Sequence, residues 1–192
     1  MKYDIVLCGV GGQGGISVSV VIARAAMAAG FLVKQSEVHG MSQRGGEVLA
    51  HLRISDREIQ SPTIPRGEAD LILAFEPLEA LRYVAWLSAD RGVVVAASTP
   101  IRNIPDYPDI ADILAEIAKL PRHRLLDADA IARNRGGAKA ANVALVGAAA
   151  DLLPIPAPAI EKEIERLFAR KGEIVVQTNV GAFRDGKAQF QR

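Results

Sequence analysis

The chain has 192 residues, 49% of them apolar, which is a little more than one typical domain and ample material for a single buried core. Its 23 Lys and Arg balance 22 Asp and Glu for a net charge of +1, and their dispersal excludes the electrostatic footprint of a nucleic-acid binder or of a protein held on an anionic membrane. One cysteine, Cys8, excludes an internal disulfide, a zinc motif or an iron–sulfur cubane ligated by this chain alone.

The opening run MKYDIVLC is too short for a signal h-region, and no apolar stretch approaches bilayer-spanning length, so the expected location is cytoplasmic. Residues 4–8 read as a buried strand and 16–29, rich in Ala and Val and stopped by Gly30, as its helix. Residues 31–38 form a second strand. Where a doubly wound fold would place a crossover helix, the chain instead runs HGMSQRGG and then EVLAHLRISDREIQSP. Val48, Ala50, Leu52 and Ile54 alternate with Leu49, His51, Arg53 and Ser55, the period of a strand. Ser55-Asp56-Arg57 reads as a turn into a short partner strand at 58–60, which makes a β-hairpin.

Alternation then resumes. ADLILAF (69–75) and GVVVAA (92–97) are buried strands, and 77–87 is a helix with Pro in its first turn. Residues 100–108 read as an irregular loop, 109–120 as a helix and 123–127 as a short strand. Asp127 or Asp129 then caps a brief helix ending near Gly136. The helix at 139–153 is apolar nearly all round, hence buried in the core or at an interface. PIPAP (154–158) is a stiff connector to a charged helix at 159–171, and the last twenty residues carry no decisive pattern. The whole predicts an α/β fold: a Rossmann-like three-layer sandwich with a mostly parallel sheet and an inserted β-hairpin, forming one domain over 1–192.

Two stretches carry candidate chemistry. Gly9, Gly11, Gly12, Gln13 and Gly14, with Gly15, sit between a strand and a helix, where glycines permit a tight turn and the helix N-terminus offers N–H groups to an anion. Glu37 falls about where a Rossmann unit keeps its ribose-binding acid, roughly twenty residues on. The glycines alone would equally serve close strand–helix packing, but the amide of Gln13 points to a polar contact in the loop. The second stretch, residues 37–46, exposes polar groups between strands. Arg44 can fork onto a phosphate or carboxylate, Ser42 and Gln43 can donate or accept, and His39 can titrate, although no nucleophile or carboxylate is spaced to pair with it. His51 and His123 read as structural.

GVGGQG at 9–14, HGMSQRGG at 39–46 and SPTIPRGEADLILAFEPLEALR at 61–82, with weaker echoes at 142–149 and in NVGAF at 179–183, resemble the gamma-type subunits of the 2-oxoacid:ferredoxin oxidoreductases. Within them the likeness is closest to the beta subunits of indolepyruvate:ferredoxin oxidoreductases. The resemblance implies oxidative decarboxylation of a 2-oxoacid, such as indolepyruvate or another arylpyruvate, to an acyl-CoA with electrons passed to ferredoxin. It further implies that thiamine diphosphate, Mg and [4Fe-4S] clusters reside in a large partner subunit, because this chain has neither the thiolates nor a GDG-to-Asn thiamine segment. The isolated chain is then inactive. Coenzyme A would set its diphosphate on the 9–14 loop and its further phosphate near Arg44. Two rival readings are a free-standing NAD(P)-dependent Rossmann oxidoreductase and a non-enzymatic nucleotide-binding or scaffold protein.

Overall fold

A computed structural model describes residues 1–39 and 45–190. In chain order these form β1 (Lys2–Val10), α1 (Gly15–Ala28), β2 (Leu32–His39), β3 (Glu47–Ser55), β4 (Leu71–Ala74), α2 (Pro77–Arg82) and β5 (Val93–Ala97). There follow α3 (Ile110–Ala118), β6 (His123–Leu126), α4 (Ala128–Asn134), α5 (Ala141–Ala149), α6 (Ala157–Phe168) and α7 (Glu173–Ala188). The strands make one sheet in the order β2-β3-β1-β4-β5-β6. β1, β4, β5 and β6 run parallel, whereas β3 is antiparallel to both of its neighbours, β1 and β2.

The strand period sorts side chains into two cores. Ile5, Leu7, Leu71, Leu73 and Val95 face α1 and the α4–α7 group; Val6, Cys8, Ile72, Ala74, Val94 and Ala96 face α2 and α3. Both faces of the central strands are therefore covered, which is why they read as unbroken apolar runs. Each large side chain withdrawn in this way contributes about 1.5–3 kcal/mol. The α/β class, the three layers and the mostly parallel sheet agree with the sequence reading.

The hairpin exists, but with a different partner. β3 pairs with β2 from Leu32↔Ser55 to His39↔Val48, and residues 58–60 are not a strand. The reason is that β3 has no free edge, since Ser55 is already opposite both Leu32 and Lys2. The segment after β3 instead folds over its second face. Ile64 N–H donates to His51 Nδ1 at 3.2 Å, and Arg53 reaches the carbonyls of Ser61 and Thr63 at 3.1 and 3.0 Å. His51 is thus a buried structural residue, and burial, ahead of the nearby Arg53 charge, lowers its pKa.

Other boundaries sharpen. The 77–87 helix divides into α2 and a 3₁₀ turn at Val84–Trp86, and Asp127, not Asp129, caps α4 by accepting from Ala130 N–H at 2.8 Å. The last segment becomes α7, laid on α5. A Cβ on Gly147 would come 2.0 Å from Phe183 O, and one on Gly186 would come 2.0 Å from Ala144 O, so these two glycines set the distance between the helices. This contact answers the question left by the all-round apolar character of α5: its residues from Val143 to Ala149 are buried by the chain itself.

Gly186→Ala is therefore expected to destabilise the fold by about 1–3 kcal/mol in urea unfolding, through steric overpacking. At a solvent-facing helical glycine the same change stabilises by roughly 0.5–1 kcal/mol, so the sign of the shift decides the point.

Candidate functional site

The site grows from the end of β1. Gly12 (φ 103°) and Gly14 (φ 78°) take left-handed backbone conformations that side chains resist, and Gly14 is the N-cap of α1. That helix has neither a capping side chain nor an acid in its first turn, so its leading N–H groups keep their partial positive charge for an external acceptor. The carbonyls on the other side of the loop are occupied, because Asn142 at the start of α5 donates Nδ2 to the oxygens of Gln13 and Gly14 at 3.1 and 3.3 Å.

Gln13 does make polar contacts, and they lie within the chain. Its Oε1 accepts from Val10 N–H at 2.7 Å, and its Nε2 donates to Phe75 O at 2.7 Å. One amide thereby ties the ends of the adjacent parallel strands β1 and β4 where the crevice opens. A Cβ at Gly9 would come 2.7 Å from Gln13 Oε1, so a side chain there would displace the amide from this tie. Gly11 N–H donates to Gly46 O at 2.8 Å, and Gly45 N–H to Gly11 O at 3.3 Å, so the two glycine motifs meet.

The bonding continues as a ring. Asn103 Nδ2 donates to Gly45 O at 2.9 Å, and the loop that carries it is anchored on buried Glu76, whose Oε1 accepts from Ile101 N–H at 3.3 Å and from the Tyr107 hydroxyl. Glu76 Oε2 caps α2 through Glu79 N–H at 3.0 Å, directly after the Phe75 carbonyl that holds Gln13. Residues 100–108, irregular in sequence, are ordered by this acid. Its neighbour Glu79 is buried as well, with Arg82 Nε at 3.0 Å from Oε1 and no partner for Oε2 among the described residues. Burial pushes its carboxyl above the ordinary range, Arg82 pulls it down, and Glu76 and Glu47 add to the rise.

A cleft of about 380 Å³ opens beyond the C-terminal ends of β1, β4, β5 and β6, between the glycine loop, Phe75, Thr99 and Ile101, the start of α4 and the two ends of the α5–α6 segment. This is where an open α/β sheet places its ligands, at the point where the strand order departs in two directions from β1 and β4. Of the residues singled out in the sequence, Gly12, Gln13 and Gly14 line the cleft, while Gly9 and Gly11 hold the loop in place. Ser42, Gln43 and Arg44 lie outside the described residues. Glu37 cannot act as a ribose acid for this loop: it is paired with Ala50 and Ala50 with Leu7, which puts it two strand spacings, roughly 10 Å, from β1. Its carboxylate takes the amide of Gln35.

Sequence reasoning passed over Ser17, Thr99, Lys139, Asn142 and Lys171 as cleft residues, and saw Asp129 only as a cap. They are distant from the glycine motif in sequence and meet it only through tertiary packing. Cys8 is buried and its thiol lies 3.6 Å from Glu79 O, with burial raising its pKa well above the ordinary value. One such thiol does not fit the four-thiolate requirement of a cubane cluster. No group of three or more potential metal ligands gathers among the described residues, and no helix there is long and apolar enough to cross a membrane.

Comparison with known proteins places this geometry among relatives. A family model described as pyruvate ferredoxin/flavodoxin oxidoreductase matches residues 4–189. The indolepyruvate oxidoreductase subunit IorB of Methanothermobacter thermautotrophicus is 38% identical over 192 residues, covering 97% of this chain and 96% of its own. The crystal structure of pyruvate oxidoreductase subunit PORC from Thermotoga maritima superposes with a TM-score of 0.76 at 25% identity, covering 97% of this chain and 96% of that one. In the 2-oxoglutarate:ferredoxin oxidoreductase of Magnetococcus marinus, the same fold accounts for 30% of a longer chain and covers 97% of this one, with a TM-score of 0.74 and 22% identity.

Two outcomes follow from the local bonding. Gln13→Ala leaves Val10 N–H and Phe75 O without their partner and is expected to cost about 1–3 kcal/mol in denaturant unfolding, with faster amide exchange at Val10. For Glu79, the fold prefers the protonated acid, so stability falls as pH rises from the unfolded-state value through the raised folded one. Thermal melts of Glu79→Gln are expected to show a shallower decline over that interval than those of the parent.

Proposed function

The chain belongs to the pyruvate ferredoxin/flavodoxin oxidoreductase family, and on that premise we propose that it is the small, cofactor-free subunit of an indolepyruvate, or related 2-oxoacid, ferredoxin oxidoreductase whose glycine loop receives coenzyme A. Its partner is a large subunit that holds thiamine diphosphate, Mg and [4Fe-4S] clusters. Those groups supply the decarboxylation chemistry and pass electrons to ferredoxin, and none of that chemistry is routed through residues of this chain. The reading of the partner is supported by the single cysteine here and by the multi-subunit oxidoreductases to which the relatives belong.

The observation that carries the coenzyme reading is the polarity of the loop. Its carbonyls at Gln13 and Gly14 are held by Asn142, while the uncapped start of α1 faces the cleft. Such an end is built for an anion, and a diphosphate is the anion that a glycine turn accommodates best. We assign Gly12, Gln13 and Gly14, which line the cleft, to that role, with Gly9 and Gly11 holding the loop that presents them, and Ser42 and Arg44 to a further phosphate of the coenzyme. The rival NAD(P) oxidoreductase is disfavoured by β3, which separates Glu37 from the loop that a dinucleotide would occupy. A scaffold without oxidoreductase chemistry predicts no cofactor-bearing companion in native extract, whereas this account predicts co-purification with one.

Calorimetry of the reconstituted complex with coenzyme A tests the assignment. Gly11→Asp adds a carboxylate to the turn that presents the cleft-lining glycines and Arg44→Ala removes a cation; each is expected to weaken binding about tenfold or more, equivalent to about 1.4 kcal/mol. Unchanged affinity in both variants would remove the loop from the coenzyme site.

A further inference from the structure

The cleft contains two cations whose presence the fold does not explain. Lys139, in the 3₁₀ turn before α5, and Lys171, at the end of the 3₁₀ turn after α6, both line it and both are exposed. Neighbouring arginines are committed elsewhere: Arg124 to Asp151, Arg135 to Asp185 and Arg166 to Glu163. Neither lysine has a carboxylate partner among the described residues; Lys171 only passes over the ring of Phe168, 5.2 Å from its centroid. Asp129 brings one carboxylate to the same cleft, and its side chain has no part in capping α4, a task done by Asp127.

Two ammonium groups and the positive end of α1 outweigh that single carboxylate, so the cleft favours a ligand with at least two negative charges. The carboxylate needs a donor in return, which a hydroxyl next to the phosphates supplies. Phosphoanhydride linked to a sugar satisfies both. We propose that Lys139 and Lys171 form a cationic clamp that fixes the phosphoanhydride of a nucleotide-type ligand over the start of α1, with Asp129 accepting from a sugar hydroxyl. The ligand then lies toward β5 and β6, on the opposite side of β1 from the strand that carries Glu37. This inference rests on the reading of the cleft as a site for a phosphorylated ligand, and it moves the charge-neutralising role onto residues from the second half of the chain.

Calorimetry of the reconstituted complex with inorganic pyrophosphate and with coenzyme A separates the two claims. Lys139→Gln and Lys171→Gln are each expected to weaken both probes about fivefold, and the double variant about twentyfold or more. The affinity of the double variant should also depend less steeply on salt than that of the parent. Lys139→Arg keeps the charge and is expected to stay within about twofold of the parent. Asp129→Asn is expected to weaken coenzyme A while pyrophosphate binds as tightly as to the parent or more tightly, since a repelling charge is lost. Melting temperatures of the exposed lysine variants should match the parent, which excludes misfolding as the cause. A parent complex that binds neither probe overturns the site reading and the clamp together. A parent that binds, alongside lysine variants of equal affinity and equal salt dependence, overturns the clamp alone.

Discussion

The antiparallel insertion of β3 beside β1 is the constraint from which the rest of the molecule follows. Because β3 occupies the position that β2 holds in an ordinary doubly wound sheet, β2 is pushed to the edge and Glu37 is carried out of reach of the glycine loop. The same insertion delivers the start of β3 to the end of β1, so that Gly45 and Gly46 exchange hydrogen bonds with Gly11. From there the bonding passes through Asn103 and Glu76 to Phe75 and back to Gln13. A loop that looks flexible in sequence, with five glycines around one glutamine, is held from several sides.

Such restraint has a functional meaning. A preorganised anion site spends little ordering entropy when its ligand arrives. The loop directs its carbonyls to Asn142 and its helix start to the cleft, and this asymmetry, more than the presence of glycine, supports the proposed reading of a binding turn. On the proposed reading, what the chain contributes to catalysis is position: a shaped cleft beside a reacting centre held by a partner subunit.

What could be read from the sequence was whatever local pattern controls. The buried runs at 69–75 and 92–97 and the strand–glycine–helix unit were legible because period and punctuation act within a few residues. The alternation from Val48 to Ile54 showed that β3 is a strand but not which strands it joins; the choice of β2 over residues 58–60 depends on edges defined by the whole sheet. α7 was illegible because Gly181 and Gly186 resemble helix breakers until Arg135 and α5, respectively, are placed against them. Gln13 was singled out as a polar contact of a bound cofactor, and the partners the fold gives its amide are the backbone of β1 and of the residue after β4. Lys139 and Lys171 gave no signal at all, since a lone exposed lysine acquires meaning only when folding sets it beside a cleft.

The central claim is that this chain offers its glycine loop to the diphosphate of coenzyme A in a larger oxidoreductase. A crystal structure of the reconstituted complex with coenzyme A tests it most directly. The account predicts diphosphate density within hydrogen-bonding distance of the N–H groups from Gly12 to the first turn of α1. Coenzyme density held wholly by the large subunit, with the loop facing solvent or packed protein, would contradict it.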